Sequence, residues 1–155
     1  MGETLRNRLL MAKSRGPGHE AVLNLLVAAG HLRERIDAVC VKYDLTNGQY
    51  NVLRILRGAR PDGYARCDIA RRMIERAPDV TRLIDRLEAR GLVERDRSTE
   101  DRRRSVTRIT VAGLELLERM QPDVEAMDRY IDERLSVREQ SELSRILEKM
   151  YASED

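Results

Sequence analysis

Residues 80–95 read VTRLIDRLEARGLVER, and this stretch decides the fold. At about 100° per residue, Val80, Leu83, Ile84 and Leu87 fall on one stripe of a helix. Arg82, Asp85, Arg86 and Ala89 fall on the opposite side, with Asp79 and Thr81 on the flanks. Pro78 stands where proline is favoured, at a first helical position, and Gly91 supplies a C-terminal stop. The expectation is a helix over 78–90. Beyond it, 92–97 and 105–109 read as two strands around the polar loop 98–104, which makes a hairpin.

Just upstream, Ile69, Ala70 and Met73 share one face of a shorter helix over 67–74, and Glu75-Arg76-Ala77 makes a tight connection. Helix, short turn, helix and hairpin over 67–109 is the order of a winged helix-turn-helix. Tyr64-Ala65-Arg66 reads as a short strand. The capping box Thr46-Asn47-Gly48-Gln49 opens a helix over 47–57 with Tyr50, Leu53 and Leu56 inside. Gly58 and Pro61-Asp62-Gly63 end it. A long helix over 20–43 carries Val22, Leu25, Leu26, Ala29, Leu32, Ile36, Val39, Cys40 and Tyr43 at spacings of three and four. Residues 1–18 show weak periodicity and end in the breaker cluster Arg15-Gly16-Pro17-Gly18.

Downstream, Thr110 caps a helix containing Leu114, Leu117 and Met120, which Pro122 is expected to kink or break. Val124, Met127, Ile131 and Leu135 continue the apolar stripe. Ser136-Val137-Arg138-Glu139 is a second capping box and opens a last helix with Leu143, Ile146, Leu147 and Met150 inside. The fold class is therefore mainly α with a small β-hairpin wing. Residues 1–45 form an N-terminal extension and first dimerisation helix, 46–109 the winged lobe, and 110–155 the C-terminal dimerisation helices. The stripes in 20–43 and 110–150 are too long for one small lobe to cover, which predicts a homodimer.

At 155 residues and 41% hydrophobic, the chain can bury a real core. Phe and Trp are absent, so aliphatics, Met and five Tyr must fill it. The net charge of +2 conceals a strong asymmetry. Residues 1–53 carry +2, 54–108 carry +6 and 109–155 carry −6. A basic middle with an acidic tail suits a polyanion at the middle. Two Cys without a CxxC spacing argue against a disulfide framework or a zinc site. The first residues lack the apolar core of a signal peptide, and no apolar run approaches a membrane span. A cytoplasmic protein without membrane contact is expected. No nucleophile motif, phosphate-binding glycine loop or metal-ligand spacing is present, so neither catalysis, a cofactor nor a metal is expected.

The outward face of the 78–90 helix places Arg82 and Arg86 four residues apart, a repulsive spacing that phosphates in a major groove would relieve. Pairing of these arginines with Asp79, Asp85 or Glu88 is the alternative. The hairpin adds Asp101, Arg102, Arg103 and Arg104 at its tip, with Arg108 behind. A narrow minor groove concentrates negative potential and attracts such arginines. Pro78, Asp79, Thr81, Arg82, Asp85 and Arg86 are thus the candidate recognition-helix contacts, and Asp101–Arg104 the candidate wing contacts. The partner they suit is double-stranded DNA.

LTNGQYNVLRIL, DIARRM, VTRLIDRLEARGLVERD, DRRR and ITVAG together resemble the multiple-antibiotic-resistance regulator (MarR) family, closely over 45–113 and in outline over the whole chain. The resemblance implies a helical homodimer with intertwined terminal helices, acting on a palindromic operator as a repressor of transcription. It places the recognition helix on Pro78–Arg90 and the wing on Leu92–Ile109. The family's Asp-x-Arg wing motif falls on Asp101 and Arg103, with Arg103 entering the minor groove. Asp79 departs from the small hydroxyl residue often found there. It suits a helix cap, or an acceptor for a cytosine amine. The family further implies release by a small aromatic or phenolic acid, for which His31, Arg35, Tyr43 and Tyr50 are the candidates. Solvated pairing with Glu34 and Asp37 is the plainer reading of His31 and Arg35. Cys40, on an apolar stripe, reads as inert filler, and Cys67 opens a helix beside Arg66. A DNA-binding protein without a ligand, and a winged helix that docks on protein, are the competing readings.

Overall fold

The computed structural model describes residues 1–75, 79–96 and 105–152, in two compact units, Met1–Asn47 and Gly48–Asp155. The first unit holds α1 (Glu3–Leu9) and α2 (Pro17–Val41). Helix α1 is absent from the sequence expectation, because seven residues are too few to establish a period. Leu5 is buried, and Arg6 and Arg8 sit in the last turn, where cations complement the helix dipole. The N-terminal amine pairs with Glu20 at 3.0 Å, which fastens the chain's start to α2 and holds the Glu20 carboxyl below its usual range. Helix α2 begins at Pro17 rather than residue 20, with the proline in the first turn, and Tyr43 falls in the turn beyond it. Of its stripe, Cys40 is buried, Leu25, Leu32, Ile36 and Val39 are half-buried, and Val22 and Leu26 are exposed.

The second unit runs α3 (Asn47–Gly58), β1 (Tyr64–Ala65), α4 (Arg66–Arg72), α5 (Val80–Ala89), β2 (Val93–Asp96), β3 (Val106–Ile109), α6 (Val111–Asp132) and α7 (Val137–Tyr151). The hairpin gains a third strand. The sheet order is β1-β3-β2, all antiparallel, with Tyr64 opposite Thr107 and Val93 opposite Ile109. The core under it is aliphatic: Val52, Leu53, Leu56, Ile69, Ile84, Leu87, Val93 and Met120 are essentially inaccessible. Ala70, expected on the inner face of α4, is exposed, because seven residues leave one apolar position, Ile69, fully covered.

Three expectations about helix ends change. Helix α5 starts at Val80, with Asp79 as its cap, so the helix is two residues shorter at its start than expected, and Pro78 lies outside the described residues. Helix α6 passes through Pro122 without a break. Pro122 and Glu118, whose carbonyl loses its partner, both face solvent, so the carbonyl is open to hydration. The residues expected inside α7 lie largely open, with Leu143 and Ile146 each 45% exposed and Met150 59%. The two downstream caps form as read: Thr110 accepts from the Gly113 N–H, and Ser136 and Glu139 complete a capping box that lowers the Glu139 carboxyl.

Candidate nucleic-acid interface

Helix α5 is held by its apolar stripe. Val80, Ile84 and Leu87 are buried and Leu83 half-buried, while Thr81, Arg82, Asp85 and Arg86 face solvent, as the periodicity requires. Gly91, at φ +68°, turns the chain out of α5 into β2 in the left-handed region that L side chains avoid. Thr110 donates its hydroxyl proton to the Gly91 carbonyl at 2.7 Å, which joins the end of α5 to the start of α6. Gly113 lets α6 approach the sheet: a Cβ there would stand 2.3 Å from the Leu92 carbonyl oxygen.

The segment that follows α4 is fixed from α3. Buried Asn51 accepts the Ile74 N–H through Oδ1 at 2.9 Å, satisfying a backbone donor at the close of α4. Sequence reading passed Asn51 over because a polar residue beside Val52 and Leu53 shows its purpose only once the turn is folded against it.

The acidic groups on α5 are neutralised locally. Asp79 accepts the Arg82 N–H at 3.0 Å with Oδ1, and its Oδ2 forms an ion pair with Arg82 Nε at 2.8 Å. Arg95, projecting from β2, bonds Asp85 and lies 3.6 Å from Glu88. Arg108 pairs with Asp96 across the β2–β3 ladder at 3.2 Å. Arg82 therefore takes one of the pairings open to it in sequence, yet its side chain stays 77% exposed. Arg86 is exposed and makes no ion pair among the described residues. Arg95 was missed because its role depends on β2 packing against α5. Its signal was the acidic pair Asp85 and Glu88 on the neighbouring helix.

Between α5, the sheet and the start of α4 lies a groove of about 590 Å³, lined in part by Arg66, Cys67, Thr81, Ile84, Arg95 and Ser105. The wing candidates Asp101, Arg102, Arg103 and Arg104 lie outside the described residues. Of the ligand candidates, His31 is exposed and Arg35 and Tyr43 half-buried in the first unit. Tyr50 is half-buried in the second, with the Arg54 guanidinium 5.9 Å from its ring centre. All four engage neighbours. Burial, and secondarily Asp37, pushes the Cys40 thiol up to about 11, while Cys67 is exposed. Among the described residues no His, Cys, Asp or Glu cluster suits a metal ion, and no helix is long and apolar enough to cross a membrane.

The sequence pattern of the MarR family matches residues 45–105. A solved structure of a MarR transcription factor from Planctomyces limnophilus is 37% identical, covers 88% of this chain and 98% of its own, and superposes with a TM-score of 0.69. This chain belongs to the MarR family. Among curated MarR-type relatives, a putative transcriptional regulatory protein for the hcr operon of Thauera aromatica is 30% identical over 69% of this chain. The match spans 63% of that relative's length. The homoprotocatechuate degradative operon repressor of Escherichia coli is 29% identical over 72% of this chain and 74% of its own. Two further MarR-fold structures are each 26% identical. MepR of S. aureus, solved in complex with DNA, has a TM-score of 0.72 over 81% of this chain and 92% of its own. BpsR of Bordetella bronchiseptica, whose DNA binding is regulated by 6-hydroxynicotinic acid, has 0.73 over 84% and 98%.

Proposed function

We propose that this protein is a cytoplasmic, homodimeric transcriptional repressor that binds palindromic duplex DNA through α5 and the wing and is released by a small aromatic acid. One observation carries the reading: α5 buries Val80, Ile84 and Leu87 of its apolar stripe and presents Thr81, Arg82 and Arg86 outward at the edge of a wing sheet. Residues 46–109 are the DNA-binding lobe, and 1–45 and 110–155 supply dimerisation. In that role Arg82 reads a base, Arg86 meets phosphate and Pro78 precedes the contact helix. Asp85 is held back by Arg95, so its charge does not oppose the DNA. Arg102, Arg103 and Arg104 approach the minor groove, with Asp101 orienting Arg103. The protein is a regulator and not an enzyme.

Relatives named for a repressor and for control by 6-hydroxynicotinic acid support the ligand-responsive part. His31, Arg35, Tyr43 and Tyr50 are the proposed ligand contacts. The groove beside α5 offers a second place, because a ligand carboxylate there would compete with Asp85 and Glu88 for Arg95. Binding of 6-hydroxynicotinic acid or a phenolic acid to the native state should raise its Tm.

The interface is tested by duplex-DNA affinity across a salt series. Each phosphate contact contributes about 0.9 to the slope of log affinity against log salt. Arg103→Ala in both wings of a dimer should weaken binding and lower the slope by up to roughly two units. Salt-independent binding, or a slope unchanged by Arg103→Ala, removes the wing from the interface.

A further inference from the structure

We infer that Asp79 is a positioning residue that aims Arg82 at a guanine, and so sets sequence specificity without touching DNA. This rests on Arg82 reading a base, as proposed above. The geometry divides the carboxylate between two tasks. Oδ1 caps α5 by accepting the Arg82 backbone N–H at 3.0 Å, while Oδ2 stands 2.8 Å from Nε of the same residue as an ion pair. A cap needs only the first bond, as Asn or Ser would supply. The ion pair lies on the Nε side of the guanidinium and leaves the terminal Nη1 and Nη2 donors for another partner. Those two parallel donors match the O6 and N7 acceptors of guanine in the major groove.

The arginine side chain is 77% exposed and the aspartate 44%. Such a pair is weak in water, but it narrows the rotamers that a long arginine must otherwise give up on binding. The pair strengthens once DNA excludes solvent from it.

The test uses the full chain, a duplex that the wild-type protein selects from a randomised pool, and a scrambled duplex of the same composition. Asp79→Asn keeps the cap and loses the charged pair, so Tm should hold. The ratio of selected to scrambled affinity should fall about five- to tenfold, with scrambled binding unchanged or tighter. In an Arg82→Ala background the same substitution should leave the ratio unaltered. Asp79→Glu, which restores charge one methylene farther out, should recover part of the ratio. If Asp79→Asn lowers the ratio equally in both backgrounds, Asp79 reads a base itself and the positioning role is wrong. If it lowers the ratio in neither, Asp79 is a cap and nothing more. If Arg82→Ala alone leaves the ratio intact, the base-reading assignment fails and takes this inference with it.

Discussion

Helices α5 and α7 carry the same kind of amphipathic pattern and meet opposite fates. Val80, Ile84 and Leu87 of α5 are 5%, 1% and 0% exposed, whereas no residue of α7 is buried. Periodicity specifies that a helix has an apolar face; it does not specify what covers that face. For α5 the cover is supplied by the sheet and the rest of the lobe. For α7 no cover lies among the described residues, and Leu143, Ile146 and Met150 remain open. An apolar stripe left uncovered in one chain is what a second copy would bury. Residues 109–155 carry −6 and residues 54–108 carry +6, a division that suits the proposed interface.

The largest effect expected from this contrast is on assembly. Leu143→Asp with Ile146→Asp should weaken self-association on the order of a thousandfold, since central apolar interface residues can each cost 2 kcal/mol or more (about thirtyfold). Sedimentation should then move from near twice 17.9 kDa toward 17.9 kDa at micromolar protein. A dimer that survives both charges places the interface elsewhere.

In α5 the same kind of change should act on folding. Ile84→Ala removes a fully buried side chain and should cost about 2–5 kcal/mol of stability, read by denaturant unfolding. The cost should fall within the lobe and leave the sedimentation mass of the folded protein unchanged at concentrations well above the dimer dissociation constant. A loss below about 1 kcal/mol would mean that α5 is not anchored as described.

The smallest effect concerns the two thiols. Cys40 is buried with its thiol raised to about 11, so its thiolate is scarce at neutral pH, and any destabilisation from ionising it begins only as the pH climbs above about 9 toward 11. A thiol reagent at pH 7.5 should modify exposed Cys67 and spare Cys40 until the protein unfolds. Rapid reaction of both would contradict the burial of Cys40.

The sequence disclosed most where a period repeats several times. The inner face of α5, the two wing strands, the Thr110 cap and the Ser136–Glu139 capping box are all in place. It disclosed least where a short element has no room for a period, as in α1 and α4, or where a residue acts across the fold. Asn51 and Arg95 belong to the second kind. Asn51 is a buried polar group whose partner, the Ile74 N–H, lies 23 residues away, and Arg95 reaches Asp85 on another element. Pro122 shows the converse: the local rule allowed a kink or a break, and the helix runs on unbroken with the proline on its exposed face. The outward arginines were legible as candidates, but the pairing of Arg82 with Asp79 was one of several that the spacing allowed.

The central claim is that a dimer reads duplex DNA with two copies of α5. Selection of duplexes from a randomised pool by the full chain, followed by sequencing, tests it most directly. Two recognition helices related by a two-fold axis should enrich an inverted repeat. Its half-sites should lie one helical turn apart, about 10–10.5 base pairs centre to centre, or a multiple of that. Enrichment of a single asymmetric site, or of no sequence at all, would contradict the account.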